Sequence, residues 1–119
     1  MAQVEIESSL NELNNLVLEG KLLDAFEKFY HEDVSMQENS LPPTISKQAN
    51  RERELEFLNN ITEFRGAAVK GMGVSGDLSY FIWEYDYTHK EWGVRNYTQT
   101  SIQQWKDGRI IKEIFIYNN

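Results

Sequence analysis

The chain has 119 residues, room for one domain with a substantial core and too few for a second catalytic domain. Nineteen acidic residues against twelve basic ones give a net charge of -7, a sign that repels phosphate backbones, so no nucleic acid partner is expected. The chain holds no cysteine, which excludes a disulfide framework, a thiolate metal site and a cysteine nucleophile; with two histidines besides, no metal and no cofactor is expected.

Acidic residues stand near the start, where a secretory signal would carry base, and no apolar stretch approaches the roughly 18 residues that cross a bilayer. The expectation is a soluble, cytoplasmic protein with no membrane partner. Over residues 4–18 the apolar residues Ile6, Leu10, Leu13 and Val17 recur at three- and four-residue steps, which predicts an amphipathic helix that Gly20 stops. A second helix over 21–30 carries Leu22, Leu23, Phe26, Phe29 and Tyr30 and forms a hairpin with the first. Val34-Ser35-Met36-Gln37 alternates as a short strand, and 39–44 follows as a loop because Pro42-Pro43 can neither pair nor continue a helix. Ser46 is placed to cap a third helix running to about Phe64, with Ala49, Leu55, Leu58 and Ile61 on one face and the charges Arg51-Glu52-Arg53-Glu54 on a solvated one.

From Arg65 the period becomes two and predicts strands over 67–74, 78–88, 94–106 and 109–117, with tight turns at Gly76-Asp77 and Asp107-Gly108. Helices early and strands late predict an α+β fold, an antiparallel sheet covered on one face by three helices. The short strand after the helix pair makes the sheet mixed. Strands this long must twist and curl, so sheet and helices together form a cone around a pocket.

Two stretches carry a family likeness: Phe29-Tyr30-His31-Glu32-Asp33-Val34-Ser35-Met36 after the helix pair, and Trp105-Lys106-Asp107-Gly108-Arg109-Ile110-Ile111-Lys112-Glu113 near the end. With the element order, they make the chain resemble a SnoaL-like member of the nuclear-transport-factor-2-like superfamily, as a single domain over 1–119. The resemblance implies a cone whose strands send alternate side chains inward. It does not decide function, because the superfamily spans ketosteroid isomerases, polyketide cyclases, epoxide hydrolases, dehydratases and members that only bind or dimerise.

In the isomerases the strand after the first motif ends in a carboxylate base, and the resemblance puts Glu38 in that position. A carboxylate facing an apolar cavity resists ionisation, so near neutral pH it can take a proton and return it. The competing expectation is that Glu38 opens the loop before Pro42-Pro43 and meets solvent. The isomerases' donors for an enolate oxygen, a tyrosine and a protonated aspartate, fall here near Leu13 or Asn14 and on Ser101. Steroid isomerisation in that form is therefore not expected, although Ser101, with Tyr97, Gln99 and Gln103 on the same strand face, offers neutral hydrogen bonds. The cyclases' late acidic residue is replaced by Asn118. Glu113, sharing a period-two face with Ile111, Phe115 and Tyr117, is the second candidate acid. Its competing expectation is an ion pair with an Arg or Lys on a neighbouring strand.

Ser79, Phe81, Trp83, Tyr85 and Tyr87 form one face of the long strand, either core beneath the helices or the wall of a pocket for a small apolar or aromatic molecule. The expected ligand-binding set is Met36, Phe81, Trp83, Tyr85, Tyr97, Gln99, Ser101, Gln103, Phe115 and Tyr117. The opposite face, with Tyr80 and Ile82 uncovered, predicts a homodimer through the sheet. His31, at a helix end, and His89, in a turn, read as structural or solvent-facing. Two functions remain: a cofactor-free isomerase, cyclase or hydrolase acting by carboxylate proton transfer, or a non-enzymatic dimerisation or ligand-binding module.

Overall fold

The computed structural model describes residues 3–117. Helix α1 (Gln3–Leu18) buries Ile6, Leu10 and Leu13 at the spacing its periodicity predicts, and Gly20 then turns the chain with a left-handed φ of +79°. Helix α2 (Leu22–Phe29) lays Ala25, Phe26 and Phe29 into the same core. Strands β1 (Tyr30–Glu38) and β2 (Thr44–Ile45), helix α3 (Lys47–Asn59), then β3 (Ile61–Ser75), β4 (Leu78–His89), β5 (Gly93–Lys106) and β6 (Arg109–Ile116) complete the chain. The six strands form one sheet in the order β2-β1-β6-β5-β4-β3, parallel between β1 and β6 and antiparallel elsewhere.

Three register shifts interrupt the pairing of β3 with β4, between Ile61 and Glu63, Phe64 and Gly66, and Val69 and Gly71. Such irregularities bend a strand and increase its twist, so the long β3 wraps rather than lying flat. The β5–β6 turn has Asp107 and Gly108 at φ +54° and +83°, the pair of left-handed positions an Asp-Gly hairpin requires. Helices α1 and α2 cover the concave face and enclose a core with Val34, Phe81, Trp83, Trp105 and Ile110.

Several boundaries differ from those the sequence predicts. Helix α2 stops at Phe29, and Tyr30 opens β1, which runs for nine residues because it pairs alongside β6 from Tyr30 opposite Ile110 to Glu38 opposite Phe115. His31 consequently lies within a strand, not at a helix end. The segment 39–44 is not wholly loop: Thr44 and Ile45 pair with Met36 and Ser35. Helix α3 ends at Asn59, and Ile61 and Phe64 belong to β3, opposite His89 and Tyr87. The cap is as predicted, Ser46 Oγ accepting from the Ala49 N–H at 3.2 Å.

The inner face of α3 is mixed rather than the apolar line the sequence suggests: Phe57 and Leu58 line the interior, but the first turns bury polar residues. Lys47 and Asn50 are buried, whereas Leu55 is exposed. The Asn50 amide donates to the carbonyls of Val34, Thr44 and Ser46 and so ties α3 to the β1–β2 hairpin. The charge run is not one solvated face either: Arg51 pairs outward with Glu27, while Arg53 and Glu54 turn inward. In β6, a register shift opposite Gln104 and Trp105 buries Ile110 in place of Ile111, and Glu113 remains on the inner face. No helix among the described residues is long and apolar enough to cross a membrane.

Candidate functional site

The sheet and the helices enclose a cavity of about 580 Å³, within the range of small-molecule sites. Leu13 of α1, Phe26 of α2 and Phe57 of α3 face the aromatic side chains of β4 across it. Strand alternation delivers those aromatics: Trp83 stacks on Tyr85 with ring centres 5.5 Å apart, and Tyr85 and Tyr97 stand 5.8 Å apart across the β4–β5 pair. Burial pushes the Tyr85 and Tyr97 phenols up, which keeps both as neutral donors.

Glu113 lies against this apolar space and is 0% exposed. The Tyr30 hydroxyl donates to one carboxyl oxygen, and Gln103 Nε2 donates to the other at 2.7 Å. The cross-strand ion pair expected for Glu113 does not form, because its partners in register are the neutral Gln103 on β5 and Met36 on β1. Burial pushes the Glu113 carboxyl up to about 7, and neighbouring Glu54 adds to the rise; the hydrogen bonds from Tyr30 and Gln103 and the charge of Arg53 oppose it. Both protonation states are therefore accessible near neutral pH. Glu54 is also pushed up by burial, with Arg53 holding it down.

Glu38 has a different setting. Its side chain is 38% exposed, its carboxylate stands 3.7 Å from Arg53 Nη1, and it accepts from the Tyr117 hydroxyl at 3.1 Å. Arg53 also reaches Glu54 through Nη2 at 3.2 Å and lies over the Phe115 ring, so one guanidinium bridges two carboxylates at the cavity wall. The apolar setting expected for Glu38 belongs instead to Glu113.

Met36, Phe81, Trp83, Tyr85, Tyr97, Gln99, Ser101 and Phe115 line the cavity together with both carboxylates. Gln103 stands behind Glu113, and Tyr117 reaches Glu38 without lining the cavity. Gln99 Nε2 donates to Ser101 Oγ at 3.2 Å, which leaves the Ser101 hydroxyl hydrogen free to donate into the cavity. Sequence reasoning missed Tyr30, Arg53 and Glu54. Tyr30 lies within the first quoted motif, and Glu54 follows Lys47 and Asn50 at helical spacing, but neither pattern marks a polar inner face. His89 is buried at the end of β4 rather than in a turn; its Nδ1 accepts the N–H groups of Glu91 and Trp92, and its ring stacks on Trp92 at 3.7 Å. Among the described residues no group of three or more His, Asp or Glu side chains is arranged to hold a metal ion.

A family profile described as SnoaL-like domain matches residues 2–117. No curated protein shows significant similarity to the chain. Among solved structures, a protein provisionally named a SnoaL-like polyketide cyclase, from Mesorhizobium loti, superposes with a TM-score of 0.83 at 24% identity over 92% of this chain and 97% of its own. A nuclear-transport-factor-2-like protein of unknown function from Burkholderia pseudomallei gives 0.80 at 11% identity, over 99% and 92% of the two chains. AclR from Streptomyces galilaeus, provisionally named a hydroxylase, gives 0.78 at 11% identity over 98% and 91%. The mixed curved sheet, the three helices over its concave face and a profile match along nearly the whole chain lead to one conclusion: the chain belongs to the SnoaL-like family, on the nuclear-transport-factor-2-like fold.

Proposed function

We propose that the domain binds a small, flat, apolar or aromatic molecule bearing a carbonyl and moves a proton on it, with Glu113 as the acid–base group and no cofactor. The observation that carries this reading is Glu113 itself: a fully buried carboxyl at the wall of a ligand-sized cavity, held by two neutral donors and free of an ion pair. In the ionised form Glu113 takes a proton from a carbon next to the carbonyl. The charge that develops on the carbonyl oxygen is met by the Ser101 hydroxyl and the remaining N–H of Gln99, after which Glu113 returns the proton to the same or another carbon. The aromatic wall supplies area for a flat ligand.

Five carboxylates, Glu38, Glu54, Glu56, Glu91 and Glu113, against the single arginine Arg53, make the lining unfavourable to an anionic ligand. Glu38 and Arg53 form the charged rim that orients the bound molecule. The provisional names of the neighbours, a polyketide cyclase and a hydroxylase, belong to the same broad class of small-molecule chemistry. A homodimer through the outer sheet face is part of the reading, supported by Leu78, Tyr80, Ile102 and Ile116, which are 50, 43, 37 and 50% exposed on adjoining strands.

The test uses β-tetralone, a flat aromatic ketone with an acidic C–H, in D2O. The wild-type protein should raise the melting temperature on binding and accelerate deuterium uptake beside the carbonyl. Glu113→Gln should keep the binding shift and lose at least about a hundredfold of the acceleration, the usual contribution of a positioned acid–base group. Undiminished exchange in the variant would refute the assignment.

A further inference from the structure

We infer that Trp105 and Ser79 are positioning residues: a one-way chain of hydrogen bonds from the Trp105 indole through Ser79 fixes the Gln103 amide with its N–H toward Glu113. The inference rests on the reading of Glu113 as the proton-transferring group.

Three buried hydrogen bonds join four residues in the chain. Trp105 Nε1 donates to Ser79 Oγ at 2.8 Å, Ser79 Oγ donates to Gln103 Oε1 at 2.7 Å, and Gln103 Nε2 donates to Glu113 Oε2 at 2.7 Å. The register makes this a straight row across the sheet, for Ser79 of β4 is paired with Gln103 of β5, and Gln103 with Glu113 of β6. Trp105 follows Gln103 by two residues on the same face of β5. All four side chains are at most 3% exposed.

The direction of the chain follows from the chemistry of its ends. An indole N–H can only donate, so Ser79 Oγ must accept there and turn its own hydrogen to Gln103. Gln103 Oε1 accepts that hydrogen, and its amide nitrogen is left facing Glu113. A flipped amide would set Oε1 against the carboxylate, an arrangement that only a protonated Glu113 could satisfy by donating. Trp105 and Ser79 thus select the amide orientation that favours the ionised carboxylate, without touching the cavity themselves.

Burial is the largest influence on Glu113, and the Gln103 donor is one of three that oppose it. The groups facing Glu113 from the packed elements are Tyr30 of β1, Arg53 and Glu54 of α3, and Tyr85 of β4. Of the two groups hydrogen-bonded to Glu113, the Tyr30 hydroxyl can turn its own hydrogen, whereas the polarity of Gln103 is set by Ser79 and Trp105, which makes the amide orientation the setting that the chain controls.

The experiment is a pH titration by NMR of protein carrying 13C-carboxyl glutamate, which needs no ligand. In the wild type the Trp105 indole N–H and the Gln103 side-chain amide should titrate with the same midpoint as Glu113. Ser79→Ala and Trp105→Phe should each raise that midpoint by about one pH unit, a tenfold tighter hold on the proton, since the released Gln103 amide can turn its Oε1 to accept from the protonated carboxyl. Ser79→Thr, which keeps the hydroxyl, should restore it, and Ile110→Val, which loosens packing beside Trp105 without entering the chain, should leave it unmoved. The inference is overturned if the folded Ser79→Ala and Trp105→Phe proteins titrate at the wild-type midpoint, if Ile110→Val shifts it equally, or if the wild-type indole does not follow Glu113. If the variants do not fold, the wild-type indole and amide alone decide. A shifted midpoint beside undiminished exchange in Glu113→Gln would sink the proposed function and leave the chain standing; the reverse pattern would sink only the chain.

Discussion

Replacing Glu113 with Gln should change how stability depends on pH, and the size of that change follows from the burial of the carboxyl. In the folded protein its pKa rises from 4.5 to about 7, mainly by burial. The folded state therefore binds the proton more tightly than the unfolded chain, and stability falls as pH climbs between these two values. A rise of about 2.5 units at about 1.4 kcal/mol per unit comes to about 3 kcal/mol, present in full below the unfolded pKa and lost by the time the pH has passed the folded one. Glutamine has nearly the same shape and no proton to lose. Urea unfolding of both proteins at a series of pH values isolates the contribution of Glu113 and the groups coupled to it, because titrating groups that do not interact with it cancel in the difference. The variant should gain on the wild type by about 3 kcal/mol between about pH 4 and about pH 8. A difference that stays flat, or moves in the wild type's favour as pH rises, would refute the assignment of a buried, elevated carboxyl.

Asn50→Ala should destabilise the protein by about 1–3 kcal/mol in urea unfolding, since it removes the buried amide that ties together the carbonyls of Val34, Thr44 and Ser46, although Val34 keeps the Ser46 N–H and Ser46 the Asn50 N–H as backbone donors. Gly108→Ala should cost about 1 kcal/mol, because a side chain is forced to a φ of +83° at the β5–β6 turn, and the same assay reads it. Ile102→Glu paired with Tyr80→Lys should convert a dimer to a monomer in sedimentation equilibrium while preserving the circular dichroism of the fold; an unchanged dimer would place the interface elsewhere.

The alternation of β4 is plain in the sequence, and Ser79, Phe81, Trp83, Tyr85 and Tyr87 lie on the inner face together as that alternation predicts. The same holds for Gln99, Ser101 and Gln103 on β5. Where strands are regular, period two is enough to tell inside from outside. It fails at Ile111, because a register shift opposite Trp105 moves burial to Ile110, and such a shift leaves no mark in hydropathy. Helix α3 was harder to read for another reason. Ile61 and Phe64 continue an apolar spacing that fits helix or strand, and pairing with β4 decides for strand.

The polar members of the site were the least legible. Lys47, Asn50, Arg53 and Glu54 face inward where hydropathy assigns a solvated surface, since a cavity wall and a junction lined by backbone carbonyls accept polar groups that a packed core would refuse. Tyr30 looked like the last residue of a helix and is the first of a strand, which is what turns its hydroxyl to Glu113. Glu113 could be placed on the right face, but its partners could not be named without the pairing of β6 between β1 and β5.

The central claim is that Glu113 is held ready to exchange a proton near neutral pH. The measurement that meets it most directly is the 13C NMR titration of the Glu113 carboxyl in the unliganded wild-type protein. A midpoint at about 7 is the predicted result. A midpoint at the ordinary glutamate value, 4.5, would contradict the account, for a carboxyl that ionises as it does in water is not the buried acid–base group described above.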